Sequence, residues 1–269
     1  MLEYIKKELS AIGIDTVGAL PFNRCNVIKA HKLTQKGLAD SMPLNVIIFT
    51  IPYYTDHKEK NISSYAIPRD YHFFCKSLSD YLLPRLKQKF EGYSFCLFSD
   101  DSPIDERDAA AKAGLGVYGD NGLLITKKYS SYVFLAELIT DLPIKTEEFE
   151  IKRCIGCGAC RNACPINDIG VCLSLLTQKK GELTLEESHA IKKYGCAWGC
   201  DICQEACPHT VKAKNEGTIY TDIDFFKEDL TPTLTSNLIK NMSEEEFSAR
   251  AYSWRKKETI LRNLKILEE

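Results

Sequence analysis

Leu2, Ile5, Leu9 and Ile12 recur at helical spacing, and Gly13 follows where a left-handed cap residue belongs, so the chain is expected to open on a helix. Residues 45–51, mostly apolar and ended by Pro52, have the pattern of a buried strand, and residues 68–90 read as a helix bent at Pro84. Residues 94–99 have strand composition and run into Asp100 and Asp101. That places two carboxylates at the C-terminal edge of a strand, where α/β folds put their sites. Residues 109–113 suit a short helix broken by Gly114-Leu115-Gly116, and residues 123–125 and 132–135 read as further core strands. This alternation predicts an α/β domain over residues 1–148.

Near the C-terminus, Ser243 with Glu246 three residues on forms a capping box. It is expected to open one helix carrying Phe247, Tyr252, Trp254, Ile260, Leu261 and Leu264. Arg250, Arg255, Lys256, Lys257, Arg262 and Lys265 share that stretch and read first as a solvated face beside a packed one, second as a nucleic-acid surface.

A composition of 44% hydrophobic and 27% charged residues in 269 is that of a folded chain. The N-terminus lacks the apolar core of a signal peptide, and no apolar run approaches the roughly 18 residues of a membrane span, so a cytoplasmic protein without a membrane association is expected. A net charge of −2 supplies no global positive field for a polyanion. Nine of the twelve cysteines fall between residues 154 and 207, and in a reducing compartment they serve as thiolate ligands.

Cys154, Cys157, Cys160 and Cys164-Pro165 have the spacing of a two-cluster ferredoxin run, in which the fourth thiolate crosses to the other cluster. Cys200, Cys203 and Cys207-Pro208 supply the matching group. By the crossing rule, one [4Fe-4S] cluster takes Cys154, Cys157, Cys160 and Cys207, and the second takes Cys164, Cys200, Cys203 and either Cys172 or Cys196. Structural zinc, which favours paired Cys-x2-Cys knuckles, fits three evenly spaced cysteines followed by Cys-Pro poorly. Cys25, Cys75, Cys96 and the five histidines receive no role. No glycine-rich dinucleotide turn follows a strand, yet two clusters in series imply an electron acceptor held by the larger domain.

Residues 100–107, reading Asp-Asp-Ser-Pro-Ile-Asp-Glu-Arg, followed by Ala113-Gly114-Leu115-Gly116 and by Phe134-Leu135-Ala136-Glu137-Leu138, resemble the epoxyqueuosine reductase family. So do Arg69-Asp70-Tyr71-His72, residues 62–66, the first cysteine run, the stretch from Cys172 to Thr177 and the stretch from Gly199 to Gln204. The resemblance spans most of residues 1–210. It implies a cobalamin-dependent reductase, related to reductive dehalogenases, that reduces epoxyqueuosine in the tRNA anticodon stem-loop to queuosine. Two [4Fe-4S] clusters would feed the corrinoid, and a flavodoxin or ferredoxin would feed the clusters.

The implied architecture is an α/β (α+β) cobalamin-binding domain over residues 1–148, a ferredoxin-like domain with two clusters over 149–215, and a short helical tail over 216–269, in a monomer. Carried over by position, the family's proton-donating aspartate falls on Asp100, the remaining ligand of the second cluster on Cys172, and corrin contacts on Leu124, Leu135, Asp201 and Ile202. Arg107 and Arg69 match family arginines that meet phosphate or propionamide groups, with ordinary ion pairing as the alternative for each.

The chain departs from the family in three places: His209 and Thr210 follow Cys207-Pro208, Asp120 replaces a lysine, and the chain ends at Glu269, soon after Ile260-Leu261-Arg262-Asn263. A reductase of the same class acting on a small molecule, and an electron-transfer protein without its own substrate, are the other readings.

Overall fold

Residues 45–52 lie at the heart of the fold because both faces of their strand are covered. The computed structural model describes residues 1–38, 42–147 and 149–269. In it β1 (Val17–Pro21), β2 (Asn45–Pro52), β3 (Phe95–Phe98) and β6 (Val133–Thr140) form one sheet in the order β1-β2-β6-β3, and all eight residues of β2 are buried. Every pairing in it is antiparallel. Ile47, Phe49 and Ile51 point to one face, against the helices Leu2–Ser10 and Tyr71–Lys89; Val46 and Ile48 point to the other, against the helix Glu106–Lys112. Mixed helix and sheet is therefore observed in its α+β form.

Of the two forms expected, α/β and α+β, the antiparallel sheet is the second. A continuous apolar run reports only that a strand is covered on both faces, which helices can do for an antiparallel sheet as well. The core strand read at residues 123–125 is present and buried. β5 (Leu124–Thr126) joins β4 (Gly116–Tyr118) in a separate two-stranded ribbon instead of entering the main sheet. The helix expected from residue 68 begins at Tyr71, with Asp70 as its N-cap accepting the His72 N–H at 3.0 Å, and it runs through Pro84 to Lys89.

The C-terminal stretch is three elements, not one helix. The Ser243–Glu246 capping box is present, but its helix is only Glu244–Ser248. The chain then leaves helical geometry so that Ala249 O can accept the Asp70 N–H at 2.8 Å; a short turn, Ser253–Arg255, and the helix Lys256–Glu268 follow.

The cores run across the expected divisions of the chain. Ile219, Ile223 and Phe226 complete the first sheet face, where Phe226 packs 5.3 Å from Phe74 and 5.9 Å from Phe134 between ring centres. A separate core joins Ile62 and Ile67 to Trp198, Leu234, Tyr252, Ile260 and Leu264. Among the described residues, no helix is long and apolar enough to cross a membrane.

Most of the basic residues of the C-terminal stretch are engaged within the fold. Arg262 donates to the carbonyls of Lys179 and Gly181, Arg250 to that of Asp229, and Lys257 to that of Met242. Asn263, fully buried, donates to Thr177 O at 2.7 Å and Ala197 O at 2.8 Å, tying the last helix to the cysteine segment. Replacing it by leucine strands both carbonyls. Asn263→Leu is expected to cost about 2 kcal/mol and to lower the thermal midpoint by roughly 5 °C, checked by circular dichroism under anaerobic conditions.

Candidate functional site

The cysteine segment hangs on the β4 edge. Tyr118 N donates to Lys152 O at 2.8 Å and Cys154 N to Tyr118 O at 3.0 Å, so the first thiol emerges directly beside the ribbon. Cys154, Cys157 and Cys160 then line one recess together with Cys207, Asp120, Asn121, Ile125 and His209. Cys207 reaches it from far along the chain because it is the N-cap of the helix Pro208–Asn215, whose first position is a proline suited to a helix start. A donor set of four soft thiolates around one recess fits a cubane iron–sulfur cluster.

Burial first, then neighbouring thiols, push Cys203 up to about 11 and Cys200 up to about 12: Cys164, Cys172 and Cys160 act on Cys203, and Cys203 and Cys172 on Cys200. Cys196 neighbours Cys200 but donates its Sγ–H to Gly199 O at 3.2 Å. Gly199 sits at φ +69°, and a β-carbon there would lie 2.5 Å from Ser63 Cβ, so only glycine lets the segment pack this closely on the 60–66 loop.

Between Cys200 and Cys203, Asp201 is 4% exposed and its side chain is fully committed. It accepts Lys60 Nζ, Ser64 N and Ser64 Oγ, each at 2.7 Å, Gln204 Nε2 at 3.2 Å, and the Ser63 hydroxyl. Burial works against the Lys60 ammonium, but the carboxylates of Asp201 and Glu205 outweigh it and leave its pKa raised. Ser131 Oγ to Gln204 Oε1, 2.9 Å, and Ser130 Oγ with Thr210 Oγ1, 2.7 Å, close the same seam against the loop leading into β6. Ile202 lies beside Asp201, packed with Leu173 and Ile191.

At the far end of β3, Asp100 has φ 63°, a left-handed backbone that costs a non-glycine residue about 1–2 kcal/mol. Its side chain is 72% exposed and its Oδ2 lies 3.9 Å from His72 Nε2. His72 Nδ1 is held by Asp70 Oδ1 at 2.8 Å, and Tyr71 stacks on Phe134 at 4.0 Å. The hydrogen bond from Asp70 is the main cause that raises His72 above 6.5, with burial opposing it. Asp101, by contrast, is paired with Lys32 and Lys29, which hold its carboxyl down at about 2.

Leu135 shares a sheet face with Glu137, and Val133, Phe134 and Leu135 stay half-buried while the rest of β6 is covered. That apolar, partly uncovered strand end beside the Asp100 edge is a surface suited to a flat corrin. Arg107 donates to Gly122 O at 2.9 Å, next to Leu124 in the ribbon. Asp100, Arg107, Leu124 and Leu135 therefore come from one neighbourhood, whereas Asp201 and Ile202 belong to the seam. Arg69 takes the ion-pair alternative, 3.3 Å from Asp229 and over the ring of Phe225.

A 4Fe-4S binding domain is matched over residues 149–169. The epoxyqueuosine reductase of Gloeobacter violaceus is 31% identical over 216 residues, covering 76% of this chain and 68% of that protein. That of Synechocystis is 30% identical over 235 residues, covering 81% of each. The chain belongs to the epoxyqueuosine reductase family. It is accordingly an oxidoreductase with an iron–sulfur segment.

Solved epoxyqueuosine reductases share the fold: the Streptococcus thermophilus structure has a TM-score of 0.78 at 24% identity, covering 99% of this chain and 80% of that one. A structure in complex with an epoxyqueuosine-modified tRNA-Tyr stem loop has a TM-score of 0.76 at 22% identity, covering 99% and 81%.

His72 and the glutamates behind Asp100 were given no role by sequence reasoning. Within Arg69-Asp70-Tyr71-His72 the available signal was an N-cap aspartate two residues before a histidine, a spacing that lets one carboxylate serve both backbone and ring. Because the folded pKa of His72 is raised, its ion pair with Asp70 is complete below 6.5 and is lost as pH rises through the folded value. NMR titration should place His72 above 6.5, and Asp70→Asn should bring it back towards or below that value.

Proposed function

We propose that this chain reduces epoxyqueuosine to queuosine in the anticodon stem-loop of tRNA, as a cytoplasmic enzyme using two [4Fe-4S] clusters and cobalamin. The observation that carries the reading is the placement of Asp100. A carboxyl beside a raised-pKa histidine, at the edge of a half-covered apolar strand end, belongs to a chain with a 4Fe-4S binding segment. Cys154, Cys157, Cys160 and Cys207 would hold one cluster, and Cys164, Cys172, Cys200 and Cys203 the other.

Converting an epoxide to an alkene consumes two electrons and two protons and releases the oxygen as water. Bound cobalamin would supply the strongly reducing centre that opens the ring, with the clusters as its electron source. The chain's own part is proton supply and positioning. Asp100 would pass a proton to the oxygen of the opening ring, and His72, oriented by Asp70, would bring that proton from solvent. Leu124 and Leu135 would present the apolar floor, and the backbone at Asp201 and Ile202 would meet the corrin from the cluster side. Arg107 would meet a phosphate or propionamide group.

For the RNA, Trp254 is 58% exposed with Arg255 stacked on it at 3.8 Å, an aromatic–cationic pair of the kind on which an unpaired base stacks. With Arg250, Lys257 and Arg262 engaged inside the fold, this pair stands out in the C-terminal stretch as a surface for nucleic acid.

Anaerobic reconstitution should yield about eight irons per chain together with one corrinoid cobalt. The loaded protein should convert epoxyqueuosine tRNA, and Asp100→Asn should lower turnover about 100-fold with metal content unchanged. Iron without cobalt would leave an electron carrier instead. Cys172→Ala should lose one cluster while Cys196→Ala keeps both, checked by iron analysis.

A further inference from the structure

The Asp100 loop is fastened to the sheet by two glutamates that the reaction above does not use. Glu137 is fully buried in the middle of β6, opposite Phe98 and Ile48. One of its oxygens accepts the Ser102 hydroxyl, whose own oxygen accepts the Ile104 N–H at 3.1 Å. The other oxygen, Oε2, is buried and lacks a donor among the described residues. Glu106 stands within hydrogen-bonding reach of Glu137 and accepts the Asp100 N–H at 3.1 Å.

Two neighbouring carboxylates, Glu137 buried and Glu106 half-buried, repel one another when both are ionised. Burial raises both groups, Glu106 to about 7, and Glu137 is raised further by its neighbour Glu106 than burial alone would raise it. Of the surrounding charges, Asp100 and Asp105 oppose ionisation of Glu106. Lys36 favours that of Glu137, but only as the weakest contribution, and its ammonium is engaged by the Leu97 carbonyl. Lys29 acts on Glu106 while bonded to Asp101. Cys25, Cys75 and Tyr71 also face the pair and are held neutral by their own burial.

We propose that Glu106 and Glu137 share one proton and act as a positioning pair, clamping the left-handed Asp100 backbone so that its carboxyl stays beside His72. The proton supplies the hydrogen that Glu137 otherwise lacks, and it removes the repulsion that would drive Glu106 away from the Asp100 amide. With Glu106 displaced, Asp100 relaxes from its positive φ and its carboxyl leaves the edge. The functional part of this inference rests on Asp100 being the proton donor.

The test uses the reconstituted full-length protein. Infrared difference spectroscopy at pH 8 should show the carbonyl band of a protonated carboxyl that disappears in Glu137→Gln. Hydrogen-exchange mass spectrometry should find the amides of residues 99–107 protected, and Glu106→Ala should expose that of Asp100. In turnover of epoxyqueuosine tRNA, Glu106→Ala should lower kcat about tenfold with KM within about twofold. Glu137→Gln, which still donates a hydrogen, should stay within about twofold of the parent, whereas Glu137→Ala should match the Glu106 variant. Absence of the carboxyl band in the unsubstituted protein, or unprotected amides in its 99–107 segment, overturns the proposal whether or not the variants fold. A parent protein that shows both signals but does not convert the tRNA overturns the functional reading and leaves the proton-sharing pair standing.

Discussion

The arrangement depends on one carboxylate kept out of water. At 4% exposure, the Asp201 carboxyl is accommodated because the chain brings a cation, a backbone N–H, two hydroxyls and an amide to its two oxygens. Four of those five donors come from residues 60–64, the loop that leads through Tyr65 into the Arg69–His72 stretch. The same loop bridges to Trp198, and Trp198 Nε1 donates to Tyr65 Oη at 2.8 Å. Through these contacts the position of Cys200 and Cys203 is fixed relative to the edge that carries His72 and Asp100. The separation between the cysteine segment and that edge is thus held by one buried, fully hydrogen-bonded carboxyl group.

At that edge two adjacent acids are given different environments. Asp101 is surrounded by lysine ammonium groups and is held ionised, while Asp100 turns away on a left-handed backbone towards a histidine. Neighbouring carboxyls whose surroundings diverge in this way are set up for different parts, Asp101 as a structural anion. The backbone twist at Asp100 produces the division, because an extended conformation there would send both side chains to the ordinary alternating faces of a strand.

How much of this was legible in the sequence follows from the range of each interaction. The extents of β2 and β3, the capping box at Ser243 and the ligand spacing of the cysteines are local, and each could be read from a few consecutive residues. Strand direction was not, because an apolar run looks the same in a parallel or an antiparallel sheet when helices cover both faces. The meeting of Glu106 with Glu137, and of Lys60 with Asp201, joins residues far apart in the chain, and no periodicity announces such pairs. The C-terminal stretch was misread as one helix because Ala249 gives its carbonyl to Asp70 instead of to its own helix, a choice dictated by a partner nearly two hundred residues upstream.

Ile223 and Phe226, seated in the core of the first sheet face, also impose an order on the making of the protein. Synthesis from the N-terminus delivers every strand of the sheet and all nine cysteines of the segment before it delivers these two side chains. Until they arrive, Phe74 and Phe134 lack Phe226 as a neighbour, so this sheet face is completed only after the whole cysteine segment has been made.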